Sequence, residues 1–95
     1  MNVIIAYEAK DMLSSLDIEV IKSVDGIHTA DEIVEMFKNF FYARMILDIT
    51  AIENYDDITN IQKISIGLDA DKIILVLPNN ELYASSTYLS KIISM

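Results

Sequence analysis

Apolar residues along this chain come in two rhythms that take turns. Val3, Ile4, Ile5, Ala6 and Tyr7 form a short unbroken apolar run of the kind found in buried strands. Residues 8–16 then place Met12, Leu13 and Leu16 on one face of a short helix. Residues 18–24 alternate in part, as a half-exposed edge strand does, and Asp25-Gly26 stops them. The next helix opens on a capping box, in which the Thr29 hydroxyl accepts from the Glu32 amide and the Glu32 carboxylate reaches back. Asp31, Glu32 and Glu35 lie toward the positive end of its dipole, and Ile33, Met36, Phe37 and Phe40 make an i, i+3, i+4, i+7 stripe. Met45-Ile46-Leu47 is a third strand ending at Asp48. A third helix, capped by Asp56 or Asp57, carries Ile58, Ile61, Ile64 and Leu68 inward. Ile73-Ile74-Leu75-Val76-Leu77 is a fourth strand that stops at Pro78. A last helix, capped by Asn79 or Asn80, turns Leu82, Leu89, Ile92 and Ile93 inward.

The order β-α-β-α-β-α-β-α predicts an α/β fold with a parallel sheet and helices on both faces. Phe37 and Ile46 are expected to be buried, and Phe40, Phe41 and Tyr42 are expected to join Phe37 in the core. In 95 residues this makes a single domain, 1–95. Because the last residues still have a helical pattern and a fifth strand is missing, the chain reads as the N-terminal piece of a longer protein. Strand four is then an edge. Ile73, Leu75 and Leu77, with Leu89 and Ile93 on the last helix, become candidates for an interface that makes a homodimer.

Composition narrows the partners. Fifteen acids stand against seven bases, for a net charge of −8. The bases are scattered singly from Lys10 to Lys91, so nucleic acid and anionic membrane surfaces are not expected partners. Hydrophobic residues make up 53% of the chain and the mean hydropathy is +0.34, yet no apolar run approaches the roughly 20 residues of a membrane span. Residues 1–6 lack a basic leader, and cytoplasm is the expected location. There is no cysteine, hence no disulfide or thiolate metal site.

In a βαβ unit, sites form at the carboxyl ends of the strands. Glu8, Asp25 and Asp48 all fall there and would offer oxygens for weak Mg2+ binding. His28 reads as a turn residue before the capping box. The two glycines, Gly26 and Gly67, are isolated, so no phosphate-cradling loop is present and no other cofactor is indicated. Ser85, Ser86 and Thr87 with Tyr83 and Tyr88 read as the outer face of the last helix.

The run Arg44-Met45-Ile46-Leu47-Asp48-Ile49 resembles the third strand of response-regulator receiver domains, which carries the phosphate-accepting aspartate. Asp48 falls on that position. More narrowly, the chain resembles the receiver-like N-terminal domains of bacterial MinD/ParA-type P-loop ATPases of the pilus-assembly kind. The matching residues are Leu47-Asp48-Ile49-Thr50-Ala51-Ile52, Asn60-Ile61-Gln62-Lys63 and the segment from Ser85 to Lys91. The resemblance implies a flavodoxin-like strand order, 2-1-3-4, cut short before the fifth strand.

The chain also departs from the receiver pattern. Receivers hold a divalent cation with an acidic pair after the first strand, where this chain has Tyr7-Glu8-Ala9. They place a hydroxyl at the end of strand four, where it has Leu77-Pro78, and a lysine after strand five, which would fall beyond Met95. The expected description is therefore a pseudo-receiver, a non-catalytic regulatory or protein-interaction module attached to an ATPase or similar effector. Two alternatives stand beside it. One is a phosphorylatable receiver using Asp48. The other is a STAS-type, anti-sigma-antagonist-like module, which Ile46-Leu47-Asp48-Ile49-Thr50 and Lys72-Ile73-Ile74-Leu75-Val76 also resemble, although Tyr55-Asp56-Asp57-Ile58 has no serine where that family is phosphorylated.

Overall fold

The computed structural model describes residues 1–77. Four strands, β1 (Asn2–Ala6), β2 (Val20–Asp25), β3 (Arg44–Asp48) and β4 (Ile73–Val76), form one sheet in the order β2-β1-β3-β4. Every pairing is parallel, with Ile4 opposite Ile46 and Ile46 opposite Ile74 across the middle of the sheet. This is the flavodoxin-like order over four strands. The helices are α1 (Lys10–Ser14), α2 (Ala30–Phe37) and α3 (Ile58–Gly67), with short 3-10 turns at Ile49–Ala51 and Ala70–Lys72.

The pleat sorts the core into two layers. Val3, Ile5, Met45 and Leu47 point to one face, where Ile33 and Phe37 of α2 and Ile61 and Ile64 of α3 cover them. Ile4, Ala6 and Ile46 point to the other face, where Leu13 of α1 meets them. Phe37 and Ile46 are buried as expected. The Phe37 ring stacks edge-on against Phe40 and Tyr42. Gly67 lets α3 end close to α2, since a Cβ there would lie 2.7 Å from a Val34 methyl.

Local signals explain the helix starts. The Thr29–Glu32 capping box forms in full. Asp57, rather than Asp56, caps α3, accepting from the Thr59 amide at 3.1 Å and the Thr59 hydroxyl at 2.7 Å. Gly26 takes φ of 88° to turn the chain after β2.

Four expectations need correction. The first helix is five residues long and does not begin at Glu8, because the amides of Tyr7, Glu8 and Ala9 are held by side chains of β3 and its following turn. The second strand begins at Val20, with a register shift against β1 that steps over Ile21. Leu68 leaves the third helix as its C-cap, though it still packs partly against the larger core layer. Phe41 is not in the core: it is 76% exposed, because Phe40 and Tyr42 on either side of it turn inward.

The expected interface residues divide. Ile73, Leu75 and Leu77 lean against the larger core layer, while Ile74 faces the other way and is half exposed. Leu89 and Ile93, with the rest of the expected last helix and Pro78, lie outside the described residues. Among the described residues no helix is long and apolar enough to cross a membrane.

Candidate functional site

Parallel pairing brings the carboxyl ends of all four described strands to one edge, and Asp48 closes the third of them. It is almost completely buried, at 1% exposure. A carboxylate in such a place needs donors, and it has them. Its Oδ2 accepts from the Tyr7 amide at 2.9 Å and from the Ala9 amide at 2.9 Å. Its Oδ1 accepts from the Thr50 amide at 3.0 Å and from the Thr50 hydroxyl at 2.8 Å. The same hydroxyl oxygen accepts from the Glu8 amide at 3.0 Å. The Asp48–Thr50 unit thus pins three consecutive amides of the β1–α1 connection.

Ionised aspartate offers about four lone-pair positions. Four donors of its own chain fill them. A phosphoryl acceptor must present one carboxylate oxygen to the incoming phosphorus, and a metal ligand must present one to the cation. Here each oxygen already serves two hydrogen bonds.

Above Asp48 lies a pocket of about 310 Å³, lined by Glu8, Ala9, Met12, Asp48, Thr50, Val76 and Leu77. Val76 and Leu77 line this pocket with hydrocarbon. The other two acids of the expected Mg2+ set do not join Asp48 in a metal-holding group among the described residues. Asp25 is exposed and pairs with the Lys10 ammonium at 3.0 Å. The Glu8 side chain is exposed. Among the described residues, no three His, Asp or Glu side chains gather closely enough to hold a metal. This donor set does not suit Mg2+, which asks for nearly octahedral oxygen ligands.

His28 sits between two elements. Its ring Nε2 lies 2.9 Å from the Asp25 carbonyl oxygen, and Nδ1 lies 3.7 Å from the Glu32 carboxylate. Its backbone bridges to Ile52 beside the Ile49–Ala51 turn. The Thr29 amide, the Thr29 hydroxyl and then His28 hold the Glu32 carboxyl below the usual range.

Sequence reasoning located Asp48 but missed Thr50. The signal was present: Asp-Ile-Thr at 48–50 repeats at 57–59, and the second copy was read as a helix cap. An aspartate with a threonine two residues on makes the same local turn in both places. The chain matches no protein-family model, and no curated protein or solved structure is significantly similar to it.

Proposed function

We propose that this chain is a pseudo-receiver: a non-catalytic regulatory or protein-interaction module that serves an effector domain and performs no phosphoryl chemistry at Asp48. The observation that carries this reading is the saturation of the Asp48 carboxylate by Tyr7, Ala9 and Thr50. In this role Asp48 is a structural tie. It fixes the β1–α1 connection over the strand ends and so keeps that edge of the sheet in one shape for a partner.

The parallel pairing of β1 with both β2 and β3 favours this reading over the STAS-type alternative. Against the active receiver stand the lone exposed Glu8 and the hydrocarbon of Val76 and Leu77 at the pocket. Several negative charges must meet in phosphoryl transfer to a carboxylate, and catalysis needs a cation to hold them.

Incubation with acetyl phosphate and Mg2+, followed by intact-mass spectrometry, is the test. The expected result is an unmodified chain. A phosphoryl adduct that borohydride reduction and peptide mapping assign to Asp48 would overturn the proposal without relying on a variant that has to fold.

A further inference from the structure

The parallel sheet that gathers strand ends at one edge gathers strand starts at the other. There Lys22 of β2, Arg44 at the first position of β3 and Lys72 just before β4 bring three bases to one end of the molecule. The α2–β3 connection crosses that end and carries Phe40, Phe41 and Tyr42. The Lys22 ammonium lies 5.5 Å from the Phe37 ring centre and 5.3 Å from that of Phe40. The Lys72 ammonium lies 5.9 Å from the Phe41 centre and 5.6 Å from that of Tyr42. Among the described residues, Lys22, Arg44 and Lys72 form no ion pair with a carboxylate. Glu19 pairs with the amino terminus and Asp69 caps the 3-10 turn before β4, while the exposed Asp71 beside Lys72 forms no ion pair with it.

This arrangement departs from what the composition leads one to expect. In a chain of net charge −8, three bases lie at the strand-start end of the sheet, and two of them, Lys22 and Lys72, lean on aromatic faces. Phe41 lies beside Lys72 and is mostly exposed to water. An exposed aromatic next to a cation is the composition of an interface anchor.

We propose that this edge docks a partner protein through an acidic segment bearing an aromatic or apolar side chain, which covers Phe41 while its carboxylates meet Lys22, Arg44 and Lys72. Charge complementarity selects the occupant. Carboxylates supply what the three bases lack, and a side chain of hydrocarbon supplies what Phe41 lacks. A nucleic-acid strand would meet the same three bases, but its long run of phosphates would also meet the field of the excess acids, while a short peptide places its few charges on the basic edge alone. The inference rests on reading the chain as an interaction module and gives that module a surface, at the end of the sheet opposite Asp48.

The test is titration of the 15N-labelled chain with the short peptide Glu-Glu-Tyr-Glu-Glu, with polyglutamate of the same length and oligo-dT as comparators, followed by amide chemical shifts. The expected result is saturable shifts centred on Lys22, residues 40–44 and Lys72, weakening as salt screens the charges. Phe41→Ser and Lys72→Glu should each weaken binding at least about tenfold. Phe41→Ser should leave the denaturation midpoint unchanged, because the ring is exposed. Absence of shifts at this edge overturns the proposal, as does equal binding of polyglutamate or preference for oligo-dT. Those failures leave Asp48 unmodified by acetyl phosphate, whereas failure of the pseudo-receiver reading appears as an adduct on Asp48, so the two are told apart.

Discussion

Asp48-Ile49-Thr50 and Asp57-Ile58-Thr59 are the same tripeptide placed nine residues apart. In both, the aspartate caps a helical turn and its Oδ1 accepts from the amide and hydroxyl of the threonine, at 3.0 and 2.8 Å in the first and 3.1 and 2.7 Å in the second. There the likeness ends. Asp57 is exposed and its cap serves α3 alone. Asp48 is buried, and its second oxygen takes two amides from residues 41 and 39 positions earlier in the chain. One local motif therefore does two jobs. At the surface it starts a helix; at a strand end inside the molecule it joins two elements, with both carboxylate oxygens hydrogen-bonded within the chain.

The comparison breaks most sharply at Asp48. Asp48→Ala leaves the amides of Tyr7, Ala9 and Thr50 without their acceptor in a buried place, and is expected to cost about 3–5 kcal/mol in urea denaturation. Asp48→Asn keeps one acceptor but turns an NH2 group toward amide donors, for a loss of about 2–4 kcal/mol. A loss under about 1 kcal/mol for both would mean that water replaces the lost acceptor and that the tie is not structural.

The threonines sharpen the contrast at the next scale. Thr50→Val keeps the shape, removes a donor from Asp48 and strips the Glu8 amide of its acceptor, for about 1–3 kcal/mol. Thr59→Val removes the equivalent hydroxyl at the surface and should stay within about 0.5 kcal/mol. Equal costs for the two would erase the distinction between a tie and a cap.

The smallest effect is on pH dependence. The Thr59 hydroxyl and then its amide, with Lys63 nearby, hold the Asp57 carboxyl below its usual range, and Thr29 does the same for Glu32. A depressed folded-state value means that the unfolded chain binds protons first on acidification. The contribution is therefore fully present above the ordinary carboxylate values, near pH 4, and fades as pH falls through the lower folded-state values. Denaturation midpoints followed from pH 6 to pH 2 should fall less in Asp57→Asn than in the parent chain. An identical acid limb would show that the Asp57 cap carries no such linkage. On the alkaline side the direction reverses: burial, with Asp69 nearby, raises the Tyr42 phenol. Its contribution is complete below about pH 10 and is lost as pH rises through the folded-state value.

What the sequence determined alone was whatever depends on residues a few positions apart. The alternation of strand and helix, the Thr29–Glu32 capping box, an aspartate cap at 56 or 57 and the inward stripe of α2 follow from hydrogen bonds and periodicities spanning two to seven residues. The place of Asp48 at a strand end was legible for the same reason, and with it the edge where a site would lie. Tertiary structure decided the rest. The shortening of α1 follows from Asp48 and Thr50 capturing the amides before it, a contact across about forty residues that no local pattern records. The aromatic run 40–42 predicts burial for Phe41 as for its neighbours, yet only the path of the α2–β3 connection sets which of three consecutive aromatic rings faces water. Lys22, Arg44 and Lys72 lie far apart in the chain, and parallel pairing places them at the same end of the sheet. Charge and hydrogen-bond saturation are properties of neighbours in space. In a parallel sheet the neighbours come from crossovers a dozen or more residues long, so the fold, and not the local sequence, selects them.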